Sequence, residues 1–294
     1  MDRDRPDFTI VTPSFNSLKC LPRACASVAD QEGVTLEHIV VDGLSGDGTV
    51  EWLCGQPRLI SHVGKDEGMY DAINRGLRRS RGQILAYLNC DEQYLPGALA
   101  AVKDHFAEHP DLDIVCGDVL VVDAEGHLLS FRKVYTPRWQ YILASHLYVF
   151  SCALFFRRKI VESNFYFDKK YRYVGDFDFM VRLLRAGFRA ERVGRYLSAF
   201  TITGDNLSVS SRTECRLHRA TLPRWARWFR HPLNLARLAE KALSGAYLQK
   251  FPIEYSLYDG DLTKRHSYRA DRGSSRWPGW SGGSAIGRKP DGLR

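Results

Sequence analysis

Several features are missing from this sequence of 294 residues, and each absence excludes a class of protein. The seven cysteines are scattered and none forms a Cys-x-x-Cys pair, so neither a zinc site nor a disulfide framework is indicated. No segment reaches the ~18 uninterrupted apolar residues that a membrane-spanning helix requires. The charged start from Met1 to Asp7 does not resemble a signal peptide. We therefore expect a cytoplasmic protein.

The chain is basic, and the distribution of its charge says more than the total. The net charge is +8, and the excess lies between residues 212 and 241, where Glu214 and Glu240 are the acidic residues. The basic residues of this segment are Arg212, Arg216, Arg219, Arg224, Arg227, Arg230, Arg237 and Lys241. They carry no recognisable nucleic-acid-binding signature, so we expect no nucleic acid partner. An anionic membrane surface and plain hydration are the alternatives.

Hydrophobic patterning predicts an α/β domain. Strands are expected at 8–12, 36–41, 59–63 and 83–88, and helices at 17–29, 49–54, 69–79 and 96–108. A hairpin at 113–122 and 127–135, a strand at 147–156, a helix at 176–186 and strands at 189–193 and 197–202 follow. Alternating strands and helices form a mainly parallel sheet. We expect one domain over residues 1–210, a basic helical extension over 211–270 and a disordered tail over 271–294.

The apolar run from Ile84 to Leu88 ends in polar residues, and this is the most informative stretch of the chain. Ligands of parallel sheets collect outside the carboxyl ends of the strands. Asn89, Asp91 and Glu92 would lie at that edge, and clustered oxygen ligands suit Mg²⁺ or Mn²⁺ shared with a phosphate. The alternative is a simple polar turn before the next helix.

Four further segments accompany this cluster. They are 8–16 (FTIVTPSFN), 38–49 (HIVVDGLSGDGT), 65–76 (KDEGMYDAINRG) and 175–187 (GDFDFMVRLLRAG). In this order and spacing, the chain resembles the family 2 inverting glycosyltransferases of the GT-A fold over roughly residues 8–205. The resemblance implies a mainly parallel, Rossmann-like mixed sheet flanked by helices. It also implies transfer of a sugar from a nucleotide-sugar donor to an acceptor hydroxyl.

The resemblance assigns donor-binding roles to residues that follow the first two strands. Thr12, Pro13 and Asn16 match the loop that cradles the nucleotide, and Asp42 matches an aspartate that contacts the base. Asp47 lies in the next glycine-rich loop. For each of these residues the alternative is a structural role in a turn, and for Asp47 we favour that alternative.

The resemblance also places the metal. Asp91 occupies the acidic metal motif, whose first position here is Asn89 rather than aspartate. That departure shifts the expected coordination of Mg²⁺ or Mn²⁺ to Asp91 and Glu92 and leaves Asn89 in the donor set. A bound cation would stabilise the leaving diphosphate.

The segment before and within the third helix adds further donor candidates. Asp66, Asp71, Asn74 and Arg75 match the family's donor contacts, with Arg75 suited to a phosphate and Asp66 to the donor sugar or base. Asp71 and Arg75 are also four residues apart, which predicts an ion pair on a helix worth about 0.2–0.5 kcal/mol. Both interpretations stay open from the sequence.

The general base is expected at Asp176, the second member of an acidic pair in the family. The first member is Gly175 here, a departure that removes one carboxylate from the acceptor side. Asp176 is alternatively a helix N-cap. Asp178 is spaced for an ion pair with Arg182, and we favour that interpretation over catalysis.

A second departure lies at Ser151-Cys152, where relatives have a polar pair such as His-Gln. Acceptor binding is therefore expected to differ from that of relatives. His146 lies nearby and is a candidate to compensate, although an isolated histidine is more often structural.

These observations predict a metal-dependent inverting glycosyltransferase with a glycan or lipid-linked acceptor. A nucleotidyltransferase would need a glycine-rich phosphate loop after the first strand, and residues 12–17 contain no glycine. A non-catalytic nucleotide-sugar binding protein is the third alternative, which Asn89 and Gly175 keep open.

The arginine-rich segment predicts a peripheral membrane contact. Apolar residues at helical spacing alternate there with arginines, and Pro223 and Pro232 would bound a short helix. The apolar residues are Leu222, Trp225, Trp228, Phe229 and Leu233. Such a helix suits the headgroup region on the inner face of a membrane. The alternative is that its aromatic residues pack on the catalytic domain.

Overall fold

Two layers of helices enclose a mixed β-sheet, and the computed structural model describes residues 5–203 and 228–278. The strands are β1 Phe8–Ser14, β2 Leu36–Asp42, β3 Ile60–Val63, β4 Ile84–Tyr87, β5 Glu92–Tyr94, β6 Ile114–Val122, β7 Leu128–Arg132, β8 Leu154–Arg157, β9 Ala190–Thr201, β10 Ile253–Leu257 and β11 His266–Ala270. The helices are α1 Leu21–Ala29, α2 Thr49–Cys54, α3 Met69–Arg79, α4 Ala98–Glu108, α5 Trp139–Ala144, α6 Lys159–Glu162, α7 Gly175–Arg185 and α8 Arg230–Leu243.

The strand order of the large sheet is β3-β2-β1-β4-β8-β6-β9-β5, with β7 paired to β6. Strands β3, β2, β1 and β4 run parallel, whereas β8 is antiparallel to both of its neighbours. Strands β1 and β4 are buried along their whole length, as expected for parallel strands covered on both faces. The predicted α/β sheet is therefore confirmed.

The sheet separates two apolar cores, and alternate residues of one strand serve each of them. Val11 of β1 packs with α3 and α7 through residues such as Ile73 and Phe179. Its neighbour Ile10 faces the opposite side, where Val28 of α1 belongs to the same core. Because helices cover both faces, the accessible part of β1, β2 and β4 is the edge where they end.

The prediction of a strand at 147–156 is wrong for most of its length. Helix α5 precedes this segment, a short 3-10 helix covers Ser151–Ala153, and only β8 is extended. A short apolar run fits a buried helix or a buried strand equally well, and tertiary packing decides between them. The two strands expected at 189–193 and 197–202 form one strand, β9, with register shifts opposite Gly117 and Asp118.

The predicted helical extension over residues 211–270 is only partly helical. Its residues 211–227 lie outside the described residues, α8 is helical, and β10 and β11 form an antiparallel hairpin that the patterning did not predict. Ile253, Tyr255 and Leu257 of the hairpin pack on Leu120 and Phe131 of the large sheet. The hairpin is thus part of the core of the domain that contains this sheet.

Part of the segment expected to be a disordered tail also packs on the domain. The ring of Trp277 lies 6.0 Å from that of Phe150 and 5.8 Å from that of Phe200, while residues from 279 onward lie outside the described part of the chain. Among the helices that the structure describes, none is long and apolar enough to cross a membrane.

Candidate active site

The candidate site is built at the edge where β1, β2 and β4 end. Ser14 at the end of β1 pairs with Asp42 at the end of β2. On the other side of β1, the thiol of Cys90 lies 3.1 Å from the Pro13 carbonyl oxygen, to which it donates. The turn that holds Asn89 therefore lies beside the end of β1, opposite Asp42, as the sequence predicted.

The loops after β1 and β2 are bonded to each other. The backbone N–H of Asn16 donates to Ser45 Oγ at 2.7 Å, and the Gly46 N–H donates to Asn16 Oδ1 at 2.9 Å. Asn16 itself has a φ of 49°, a left-handed conformation that asparagine tolerates better than most residues. Asn16 therefore shapes the cradle through its backbone conformation and its side-chain amide.

Asp42 and Asp47 both accept hydrogen bonds within this loop pair. Asp42 is fully buried and accepts from the Ser45 N–H at 2.8 Å and from Ser45 Oγ at 2.6 Å. Asp47 accepts from the N–H of Leu18 at 3.0 Å and from the hydroxyl of Thr49 at 2.6 Å. The Thr49 hydroxyl and then the Leu18 N–H lower the pKa of Asp47. The turn role is confirmed for Asp47 and is also observed for Asp42, whose donor contact stays a prediction.

Thr12 supports this loop from below. Its hydroxyl lies 2.8 Å from Nε2 of His38 on β2, and both side chains are buried. Burial lowers the pKa of His38 to about 4, so the imidazole is neutral at physiological pH. The side chain of Thr12 therefore braces β1 against β2, and its backbone belongs to β1 rather than to the loop.

Phe15 is a site residue that the sequence reasoning missed. It lies between Ser14 and Asn16, and its side chain is 64% exposed in spite of its size. Leu44, with a φ of 67°, is also exposed in the facing loop. A large apolar residue inside a polar loop that ends a strand was the available signal, because such a residue has no core to join.

Gly43 lets Asp66 approach the end of β2. A Cβ added to Gly43 would lie 2.8 Å from Asp66 Oδ2 and 3.3 Å from the ring of Phe15. Asp66 Oδ1 accepts from the Gly68 N–H at 2.9 Å. The chain thus brings Asp42, Asp66 and Phe15 together around Gly43, where a larger residue would push the Asp66 carboxylate away.

The polar residues of α3 are fastened to the protein. Arg75 forms the predicted ion pair with Asp71, at 2.7 Å, and donates to the Lys65 carbonyl at 2.7 Å. Asn74 donates to the Phe167 carbonyl at 2.8 Å and accepts from the Phe167 N–H at 3.0 Å, so its whole amide is used. The ion pair is confirmed, and the donor contacts of these residues stay predictions.

Within the metal motif, Glu92 faces inward. It is fully buried, and its carboxylate accepts from the Asn89 N–H at 2.9 Å and from Ser151 Oγ at 3.2 Å. Burial, reinforced by the charge of Asp91, raises the pKa of Glu92. Ser151 belongs to the departure noted in the sequence, and here it helps to hold the motif in place.

Asn89 and Asp91 are the residues of this turn that suit an ion. Asn89 Oδ1 is buried and has no hydrogen-bond partner among the described residues, and Asp91 is half-buried. A buried acceptor without a donor is uncommon, because desolvation costs free energy that nothing returns. An amide oxygen and a carboxylate are the oxygen ligands that Mg²⁺ and Mn²⁺ prefer.

Asp176 lies in the first turn of α7, next to Tyr70 of α3. Its backbone N–H donates to Tyr70 Oη at 3.2 Å, and its Oδ1 lies 3.4 Å from the same oxygen. Oδ1 also accepts from the Phe177 N–H at 2.8 Å. The N-cap interpretation is wrong, since Val174 is the N-cap and no side chain caps the helix. A carboxylate in the first turn is nevertheless stabilised by the helix dipole.

The ring of Tyr70 explains why residue 175 is glycine and the acidic pair is reduced to one carboxylate. A Cβ at this position would lie 2.6 Å from the Tyr70 ring, so the ring occupies the space that a side chain would need. Asp178 forms the predicted ion pair with Arg182 at 2.7 Å, which confirms its structural interpretation.

His146, the candidate to compensate for the change at Ser151-Cys152, is exposed, and its Nδ1 lies 2.7 Å from Ser145 Oγ.

Tyr87 of β4 is fully buried. Burial raises its pKa far above the usual range, and the charges of Asp176 and Glu92 add to that rise. The Tyr87 hydroxyl therefore stays protonated at physiological pH.

Comparison with solved structures defines the class of the fold. Staphylococcus aureus TarS, residues 1–349 in complex with UDP-GlcNAc, has a TM-score of 0.59 at 17% identity, over 80% of this chain and 72% of that one. The mannosyltransferase PcManGT from Pyrobaculum calidifontis, in complex with GDP-Man and Mn²⁺, has a TM-score of 0.55 at 18% identity, over 82% and 76%. The fold is of the GT-A type.

Sequence comparison then identifies the family. The model described as "Glycosyl transferase family 2" matches residues 9–165. A PGL/p-HBAD biosynthesis glycosyltransferase of Mycobacterium bovis (strain BCG / Pasteur 1173P2) is 31% identical over 187 residues, which are 60% of this chain and 69% of that protein. The succinoglycan biosynthesis protein ExoO of Rhizobium meliloti (strain 1021) is 28% identical over 200 residues, 63% and 57% of the two chains. The chain belongs to glycosyl transferase family 2 and is a glycosyltransferase.

Proposed function

We propose that the protein transfers a sugar, with inversion and with the help of Mg²⁺ or Mn²⁺, from a nucleotide-sugar donor to a hydroxyl of a glycan or lipid-linked acceptor. The observation that carries the proposal is the single tyrosine, Tyr70, that joins the donor-side helix α3 to the carboxylate of Asp176. It is supported by relatives named for PGL/p-HBAD biosynthesis and for succinoglycan biosynthesis, and by structural neighbours in complex with UDP-GlcNAc or with GDP-Man and Mn²⁺.

Asp176 is the general base of this proposal. In one displacement, the acceptor oxygen forms a bond to the anomeric carbon while the bond from that carbon to the diphosphate oxygen breaks. The electron pair of the broken bond stays on the diphosphate, and Asp176 takes the acceptor proton. Because the attack comes from the face opposite the leaving group, the configuration inverts.

Asp91 and Asn89 would hold the cation, and Glu92 would hold Asn89. A bound divalent ion supplies charge that stabilises the leaving diphosphate. The unpartnered oxygen of Asn89 fits this role, and the inward carboxylate of Glu92 bonds the backbone that presents it. We therefore assign Glu92, first considered as a direct ligand, to positioning the turn.

The donor base would lie between the loops after β1 and β2. Phe15 offers an exposed aromatic face, and Asp66 offers acceptors for base or ribose donors beside it. Asp42, which was predicted to contact the base, is fully buried and would act by holding the Ser45 turn of the facing loop. Thr12, Pro13 and Asn16 shape the cradle, while Asp71, Asn74 and Arg75 hold α3 and the preceding loop against it. The protein would act in the cytoplasm, at the inner face of the membrane where a lipid-linked acceptor is presented.

The test is the metal dependence of donor turnover. Nucleotide sugars are first screened by thermal shift with Mn²⁺, since a true ligand raises the melting temperature by mass action. Hydrolysis or transfer of the selected donor should require Mg²⁺ or Mn²⁺ and stop with EDTA. Asp91→Ala should abolish activity, whereas Asp104→Ala, at an exposed position of α4, should not. Full activity of the wild type in chelator would overturn the metal assignment.

A further inference from the structure

Helix α8 turns its polar side toward the protein and its apolar side toward solvent. Its charged residue Arg237 is 6% exposed, whereas Leu235 and Leu243 are 68% and 89% exposed. In a helix that covers a core, the apolar stripe faces inward and the charged residues face water. Here the polar side faces the catalytic domain.

The inward side of α8 is held by specific polar contacts. Arg237 donates to Tyr135 Oη at 2.9 Å, and Glu240 forms an ion pair with Arg138 at 3.1 Å, immediately before α5. Arg230 donates to the Ala144 carbonyl at 3.1 Å. These contacts define one orientation of the helix, so its apolar side cannot turn toward the core without losing them.

The outward side forms a continuous apolar face. Five exposed residues recur at the spacing of one helix face, namely Leu235, Leu238, Ala239, Ala242 and Leu243. Trp228, which is 83% exposed, and Phe229 precede this face, and Leu248 follows it. We call these eight residues the α8 face. The sequence suggested that Pro232 ends a short helix. In the structure Pro232 lies in the first turn of α8, where proline is tolerated, so that prediction is wrong.

A protein partner of the α8 face would need a surface matched to it, since protein interfaces are closely packed and complementary in shape. A bilayer needs no matched surface, because an amphipathic helix can lie in the headgroup region by itself. A membrane is therefore the occupant that this single helix face can bind alone.

The charges around the α8 face suit an anionic bilayer. Arg230, which is exposed while its Nε donates to Ala144, and Lys250 lie at its two ends. The sequence just before Trp228 adds five arginines with Glu214 as the acidic residue, at Arg212, Arg216, Arg219, Arg224 and Arg227. Each basic residue near an anionic surface contributes about 1 kcal/mol, and exposed indole rings favour the interface.

We propose that the α8 face lies in the headgroup region of an anionic membrane, with α8 parallel to the membrane plane. The role of this membrane contact rests on the proposed function, since the contact would hold the active site where a lipid-linked acceptor is presented. Membrane binding itself does not depend on catalysis, so it is measured separately.

The experiment is flotation of the full chain with vesicles. Wild type should float with phosphatidylcholine–phosphatidylglycerol vesicles, less so at high salt, and not with phosphatidylcholine alone. Leu235→Glu/Leu243→Glu should lower the bound fraction by about tenfold or more, because it removes two apolar contacts and adds two repelled charges. The matched control is Leu129→Glu/Leu262→Glu, two exposed leucines of β7 and of the loop between β10 and β11. It should float like the wild type.

Each contrary outcome overturns the proposal in an identifiable way. Wild type that stays at the bottom with anionic vesicles excludes membrane binding, and unchanged flotation of the α8 variant excludes this face. If sedimentation shows that the wild type is a dimer and the α8 variant a monomer, a second copy of the chain is the occupant of the face. A melting temperature lowered much more by the α8 variant than by the control shows that the chain itself covers the face. Normal flotation without any donor turnover would instead defeat the proposed function alone.

Discussion

The candidate donor side and the candidate acceptor side of this protein are assembled from contacts of different range. On the candidate donor side, the loops after β1 and β2 bond each other across 29 and 30 residues, Asn16 with Ser45 and Gly46, while Asp42 bonds Ser45 three residues away. On the candidate acceptor side, Tyr70 meets Asp176 across 106 residues of chain. The difference teaches that the candidate donor cradle joins the loops of two successive strands, whereas the position of the candidate base depends on packing between distant elements.

The largest expected effect tests the centre of the acceptor side. Asp176→Asn should lower kcat about 10²–10⁴-fold, the usual range for loss of a general base, with the affinity for nucleotide unchanged. Asp178→Asn is the matched control, since it removes the neighbouring carboxylate of the same helix turn, which pairs with Arg182 at 2.7 Å. Single-turnover transfer and nucleotide titration separate the two sides. A severe Asp178→Asn and a mild Asp176→Asn would show that the wrong carboxylate was chosen.

The next largest effect sharpens the link between the two sides. Tyr70→Phe removes the hydroxyl that contacts Asp176 and should lower kcat about tenfold, since a hydrogen bond to a charged group contributes about 1.5–3 kcal/mol at best and this one is long. KM for the donor should change little. Gly175→Ala should have a similar or larger effect, because its methyl group displaces the Tyr70 ring.

The control for this pair is Tyr166→Phe, whose ring lies against Arg78 on the outer side of α3. A Tyr70→Phe variant that loses thermal stability while its kcat stays normal would reduce Tyr70 to a packing residue.

A smaller effect is expected in the donor cradle. Phe15→Ala should weaken nucleoside diphosphate binding about fivefold or more, because stacking of a base on an aromatic ring contributes about 1–3 kcal/mol. Calorimetric titration with Mn²⁺ present measures it, and Leu129→Ala at a distant exposed position is the control. Equal dissociation constants for the two variants would place the base elsewhere.

The smallest expected effect concerns stability rather than activity. His38 is neutral in the folded protein because burial lowers its pKa to about 4, while the unfolded chain takes up the proton near its usual value of 6.5. Stability from this group is therefore fully present above pH 6.5 and is lost as the pH falls toward 4, by about 3 kcal/mol in total. Urea titrations of the wild type and His38→Gln across this range give the difference. His231→Gln, at an exposed histidine, is the control. If the wild type and His38→Gln lose stability in parallel as the pH falls, His38 does not titrate as described.

The features that could be predicted are those with local signals. Helices α2 and α3 were predicted with the bounds that the structure has, and two i,i+4 ion pairs, Asp71–Arg75 on α3 and Asp178–Arg182 on α7, form as expected. Strand β5 was not predicted, since three residues carry no periodicity and their pairing partner, β9, lies a hundred residues away. Phe15 was missed because its exposure is a property of the folded loop.

The sequence by itself determined the alternation of strands and helices, the edge at which the acidic residues collect, and the family. These properties depend on periodicity and on side-chain types within short windows of sequence, and such local signals do not depend on tertiary contacts. Only the tertiary structure decided that Glu92 faces inward and that Gly175 makes room for Tyr70. It also decided which side of α8 faces out, because Tyr135 and Arg138, far earlier in the chain, bind its polar side. Such outcomes depend on which distant groups meet, and desolvation and hydrogen bonding between those groups set the result.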